Sequence, residues 1–413
     1  MGMRQFLSSI IRIMLLAAVA VLPHALFAGT EQIIYSFAGD ADGEYVDSDL
    51  VIDSAGNIYG TSVQGGAFGT GTVFQLTPSA AGWIHTVLYS FTGGADGGQP
   101  YKGVVLDGQG NLYGTAVVGG TGGSCVEAGC GVVYKLSNSG GVWTETVIYN
   151  FTGGNDGYGP GAPLVFDKAG NLYGTTPTGG ARAQGVVFQL RPVSGTWKFK
   201  LLHTFTGGAD GGGGSAGRLL PDNLGNIYGV ATVGGAYGSG TAYRLSQGTN
   251  GSWTFKTLYA FKGQPDAGFP YGGLVRDQSG NLYGTTYYDG ANDLGSVYVL
   301  HPMPGDVWKE KVLHSFSAGS GGNSSIATLV FDDAGNLYGT TSEGGAGCSC
   351  GTIFKLTKGS NGQWTESTAY RFQGQPDAGF AYNGMARDAA GNLYGATVHG
   401  GTTDGGVIYH FIP

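Results

Sequence analysis

Apolar and polar positions along this chain follow one phrase that recurs seven times. An apolar pair and an Asp lead through a few small residues to GN[LI]YG, then a GG pair, a second apolar run, a Trp and the motif LYxF. The motif's Asn falls at Asn57, Asn111, Asn171, Asn226, Asn281, Asn336 and Asn392, a spacing of 54 to 60 residues. Repeats of this length built from short strands predict radial blades or a stacked array. In the third copy, residues 162–167 (APLVFD) read as a short strand and DKAGN as a tight turn, since Asp and Asn accept local backbone N–H bonds and Gly supplies positive φ. Residues 171–176 (NLYGTT) form a second strand, with Leu172 and Tyr173 on opposite faces and Gly174 leaving room for a neighbouring backbone. Val186 to Leu190 gives a third. Trp197 opens a fourth, with Trp197, Phe199, Leu201, His203 and Phe205 expected on one side.

Four antiparallel strands per repeat, apolar on both faces, describe a propeller blade held between two neighbours. A parallel β-helix would use shorter coils and no hairpin in each unit. The chain ends favour a ring: the seventh copy stops after its third strand (GVIYHFIP), while residues 31–37 (EQIIYSF) form a fourth strand without a blade. The expected fold is therefore an all-β, seven-bladed propeller of four-stranded antiparallel blades, with Ile33 to Phe37 beside Val407 to Phe411 in the last blade. Closure of this kind removes an open seam. The repeats lie near 38–91, 92–151, 152–205, 206–261, 262–316, 317–372 and 373–413, the last completed by 31–37.

Residues 1–28 stand outside this pattern. Arg4 and Arg12 precede an apolar run from Ile13 to Phe27 that is shorter than a spanning helix needs, with small residues after it; this reads as an export signal cleaved near Ala28. Its removal deepens the net charge from −8 to −10, which argues against a nucleic-acid partner. The rest of the chain offers no further span, so a secreted or periplasmic monomer is expected. With 12% charged residues and 82 glycines the surface must be mostly neutral and hydrogen-bonding, while 41% hydrophobic residues at fixed phase argue against disorder. Cys125 with Cys130, and Cys348 with Cys350, fall in the same loop of two repeats, and pairing within each loop is expected in an exported chain. The closer spacing of Cys348 and Cys350 would make a strained ring, more easily reduced. No His lies near either pair to suggest a metal.

The combination GNLYGTT, GG and GxVFxL across residues 31–413 resembles the GloVer tandem repeats of exported bacterial proteins, the choice-of-anchor family. Members carry differing C-terminal sorting tails; none is visible after the last repeat, so the resemblance implies a released or periplasmic protein. The GG, apolar strand and Trp are also similar to a kelch blade, and DxxGN[LI]Y to the turn of NHL-type propellers. Both support the fold alone.

Columns that agree in every repeat read as packing. The turn aspartates (Asp53, Asp107, Asp167, Asp222, Asp277, Asp332, Asp388) and the six tryptophans (Trp83, Trp143, Trp197, Trp253, Trp308, Trp364) belong there. Columns that disagree are candidates for chemistry. Before the GG pair stand Gln64, Val118, Thr178, Val233, Tyr288, Glu343 and His399, so closure would make Tyr288, Asp289, Glu343, His399 and Gln64 neighbours on one arc. The loop entering the first strand adds Tyr45, Tyr271 and Tyr382, and up-and-down blades place both loops on one face. Aromatic platforms with polar groups suit a glycan or a cell-surface protein. Arg276 and Arg387 could hold an acidic ligand, though pairing with carboxylates is the simpler reading. For catalysis Glu343 and His399 are the one acid and base in equivalent positions of adjacent blades, which would make a polysaccharide hydrolase or lyase the alternative. No cofactor is expected; calcium at the repeated GGADG loops would find a single carboxylate in each, too few oxygens.

Overall fold

The computed structural model describes residues 29–413 except 124, 126–127, 215–216, 320 and 346; the expected export signal lies outside the described residues. Its strands form seven four-stranded antiparallel blades. Blade 1 runs outward through Val51–Ile52, Ile58–Ser62, Thr72–Ser79 and Gly82–Ser90. The next five repeat this order, blade 5 adding Ala267–Pro270 at its loop edge. In blade 7, Val407–Ile412 lies between Leu393–Thr397 and the leading strand Thr30–Ser36, with Ile33 opposite Tyr409 and Glu31 opposite Phe411. The two ends of the described chain thus share a blade, as expected.

The turn between first and second strands is held by one carboxylate. Asp53 Oδ1 accepts the backbone N–H groups of Ala55 and Asn57 at 2.9 Å, while Oδ2 accepts Asn57 Nδ2 at 2.8 Å and Tyr59 Oη at 3.0 Å. The Asn-to-Asp bond recurs in all seven blades at 2.7–2.8 Å. Burial alone would raise the pKa of Asp53, Asp107, Asp277 and Asp388; the bonds from Asn, Tyr and backbone outweigh it and hold these carboxyls below their usual value.

Two expectations change. Gly174 faces a ring rather than a backbone: a Cβ there would strike Phe188 of the paired strand, and the equivalent glycines Gly60, Gly114, Gly229, Gly284, Gly339 and Gly395 each face Phe or Tyr in the same way. Nor do Trp197, Phe199, Leu201, His203 and Phe205 share one side. A β-bulge shifts the register between Val187 and Phe188, as at the equivalent place in every blade. The extra residue turns the strand over. Trp197 and Phe199 therefore face blade 2, His203 and Phe205 face blade 4, and Leu201 is 39% exposed.

The bulge explains how the core is divided. Each outer strand gives its first half to the preceding blade and its second half to the following one, so apolar side chains gather in seven clusters, one per seam. The tryptophans are part of this packing: Trp197 meets Tyr113 of blade 2 edge-on at 5.6 Å, and Trp83 meets Tyr394 of blade 7 at 6.1 Å, across the closure. At the seam between blades 6 and 7 no Trp is available, and Phe411 lies 6.4 Å from Tyr338.

Candidate functional site on the loop face

In every blade the loop entering the first strand pairs with the exit of the second, through Glu44–Gln64, Gly98–Val118, Tyr158–Thr178, Gly212–Val233, Gly268–Tyr288, Asn323–Glu343 and Gly379–His399. The two variable columns are thus one surface, opposite the DxxGN turns.

Around the arc the candidates separate into groups. Tyr287, which the column reading passed over, lies 5.7 Å from Tyr271 and 4.4 Å from Tyr288, the latter edge-on. Tyr288 is exposed and also stands edge-on to Phe269. Burial raises the phenol pKa of Tyr287 and Tyr382, and the negative charge of Glu343 raises both further. Glu343 also accepts a long 3.5 Å bond from Asn323 Nδ2. His399 belongs to the closure instead: its ring meets Tyr45 of blade 1 edge-on at 5.6 Å and Phe380 at 5.4 Å, and Nδ1 lies 3.2 Å from Asp404. No hydrogen bond or ion pair joins Glu343 to His399 among the described residues. Gln64 is exposed, its backbone bonded to Glu44. Asp289 turns under its own loop, its Oδ2 occupying the space a side chain on Gly268 would need, and burial pushes its pKa up.

Inside the arc lies a charged lattice that sequence reasoning missed. Lys102 Nζ is 2.5 Å from Asp47 Oδ1 and 3.1 Å from Asn383 Oδ1. Arg218 reaches Asp49 at 3.3 Å, and Asp49 also accepts the Gly384 N–H. These residues come from blades 1, 2, 4 and 7 and meet at the axis, above a cavity of about 390 Å³ lined by Leu50, Ile52, Leu220, Val275, Val330 and Met385. The signal was available: four and five residues before the turn Asp, charged or amide side chains interrupt a column of small ones.

The repeated loop aspartates have structural uses. Asp96 Oδ2 accepts Tyr89 Oη and the Thr92 N–H at 2.9 Å, and Oδ1 accepts the Thr92 hydroxyl. His203 takes the place of Tyr89 in blade 3 and bonds Asp210 at 3.0 Å. Arg276 and Arg387 lie on the opposite, turn face, paired with Asp222 at 3.4 Å and Asp333 at 2.6 Å. Cys125–Cys130 and Cys348–Cys350 are disulfides. Among the described residues no group of three or more His, Cys, Asp or Glu is placed to share a metal, and no helix is long and apolar enough to cross a membrane.

A family model described as the Gloeobacter/Verrucomicrobia repeat matches residues 24–223, 122–346 and 215–413. No curated protein matches the sequence. A solved structure from Lactobacillus plantarum is similar at 13% identity, with TM-score 0.53, covering 86% of this chain and 99% of that one. Another, from Bacteroides uniformis and provisionally named a 6-phosphogluconolactonase, is similar at 14% identity, with TM-score 0.52, covering 78% of this chain and 84% of that one. At such identity the likeness concerns the fold alone.

Proposed function

The chain belongs to the Gloeobacter/Verrucomicrobia repeat family, and from that premise we propose that it is an exported propeller scaffold that holds a glycan or a cell-surface partner against its loop face. The observation that supports this reading is the arc itself: Tyr271, Tyr287, Tyr288, Glu343, Tyr382, His399 and Tyr45 come from four successive blades, 5, 6, 7 and 1, and are half-buried or exposed. A shallow aromatic surface that carries the Glu343 carboxylate and the His399–Asp404 pair suits a polyhydroxylated ligand, which binds by stacking and several hydrogen bonds. The Lys102–Asp47–Asn383 lattice fills the axial mouth behind it, so a ligand would lie across the face rather than enter the ring. Two disulfides and the leader-like residues 1–28 support export.

Glycan-array binding by the purified protein, repeated with Glu343→Gln and His399→Ala, tests the proposal. Binding weakened by about tenfold in Glu343→Gln without any cleaved product supports a binding module. Product release lost in both variants would instead make the protein a polysaccharide hydrolase or lyase. Unchanged binding in both would remove the arc from the ligand site.

A further inference from the structure

On the turn face, opposite the arc, two grooves occupy equivalent places three blades apart. One, between blades 2 and 3, has a volume of about 410 Å³; the other, between blades 5 and 6, about 600 Å³. Each is floored by three rings. In the first, Tyr113 meets Phe166 at 5.1 Å and 90° and Trp197 at 5.6 Å and 67°. In the second, Tyr283 meets Phe331 at 5.4 Å and 90° and Trp364 at 6.0 Å and 65°. The Tyr and Trp recur around the ring as packing. The Phe does not: it stands just before the turn Asp, where blades 1, 2 and 4 carry Ile52, Leu106 and Pro221 and blades 5 and 7 carry arginines.

Those arginines show what the position can hold. Arg276 lies over the Tyr228 ring at 5.6 Å and reaches Asp222, so a planar, hydrogen-bonding group of the chain itself sits in the groove between blades 4 and 5. Where Phe replaces Arg, a third aromatic wall stands in its place; Arg276 borders the groove between blades 5 and 6, but its guanidinium is turned to Asp222 and Tyr228 of blade 4.

We propose that these two grooves are a matched pair of binding sites for a neutral, equatorially linked oligosaccharide of the β-1,4-glucan type. The volumes fall in the range of small-ligand sites, roughly 300–1,000 Å³. Both signs of charge line each groove, Lys168 with Asp107 and Asp167 in one, Arg276 and Lys358 with Asp277, Asp332 and Asp333 in the other, where Arg276 and Asp333 are already paired with Asp222 and Arg387; this favours an uncharged ligand over an ion. The half-buried Trp and Phe rings supply apolar surface for the C–H face of such a sugar, and Gln109, or Gln278 with Ser279 and Ser360, lines the groove with hydrogen-bonding groups. Two equivalent sites on one rigid ring would also grip a polymer with greater avidity than either alone.

Cellohexaose titrated against the whole protein, followed by tryptophan emission and calorimetry, is the test. Saturable binding of two ligands per chain is expected at millimolar concentrations or below. The double variant Phe166→Arg with Phe331→Arg, which copies the chain's own blades 5 and 7, should abolish it, and either single change should leave one site. Phe166→Leu with Phe331→Leu, copying Leu106, should weaken it by about tenfold while folding as the parent does. Glu343→Gln should leave it intact, so failure here is distinct from failure of the loop-face reading. Absence of binding, or binding unaltered in both double variants, would overturn the proposal.

Discussion

The seam between blades 2 and 3 and the seam between blades 4 and 5 share one backbone frame but are filled by opposite chemistry. In the first, Phe199 stacks on Tyr149 at 4.5 Å and 13°. In the second the same slot, two residues after the Trp, holds Glu310, whose pKa burial and the neighbouring Asp266 raise to about 7. Around the ring the slot carries His85 stacked on Tyr35 and Phe255 stacked on His203, but Glu145, Glu366 and Glu31 elsewhere. Glu145 and Glu31 are also raised to about 7, by burial and then by Asp96 and Asp377. The bulge fixes where the slot points; it does not fix what fills it. A repeat can therefore vary its seams without losing its shape.

The two kinds of seam should answer pH in opposite senses. A carboxyl that titrates near 7 when folded and near 4.5 when unfolded contributes stability below 4.5, and that contribution is lost as pH rises to about 7. Burial lowers His85 from 6.5 to about 4, so its seam loses stability as pH falls through that interval.

The largest disturbance would be to remove the strand both closure seams depend on. Deleting residues 29–38 takes Glu31 from the seam between blades 6 and 7 and Tyr35 and Phe37 from that between blades 7 and 1. Cooperative thermal unfolding should be lost, and an undisturbed melting curve would show that the ring does not need the strand. Next in size, Phe199→Glu should convert an aromatic seam to a carboxyl one and cost about 3 kcal/mol at pH 8, read by denaturant unfolding, because a charged carboxylate then replaces a stacked ring. The smallest change is the combined Glu31→Gln, Glu145→Gln and Glu310→Gln variant. It should flatten the fall in midpoint between pH 4.5 and 7, by about 1 kcal/mol for each site once partial solvent screening is allowed for. A slope unchanged by all three would mean that the seam acids are not its source.

Much of this was legible because it is local. The Asp53–Asn57 turn is an interaction within five residues, and the spare strand at residues 31–37 announces its blade by matching the LYxF of the others. The reversal after Phe199 was harder to see. Its trace is the adjacent apolar pair before Tyr or His, as in Leu201–Leu202, which strict alternation would send to opposite faces. Glu343 and His399 come from matching positions of neighbouring blades, yet the Glu343 carboxylate meets Asn323 of its own blade while the His399 ring meets Tyr45 and Phe380. Lys102 and Asn383, 281 positions apart in the chain, meet at an axis that no single repeat contains.

From its own residues the chain set the strand order, the turns and the number of blades, since these follow from short-range hydrogen bonds and from apolar spacing within one repeat. Which side chains face each other across a seam or at the axis was decided by the closed ring, because bulge direction and blade rotation bring together groups that share no local interaction.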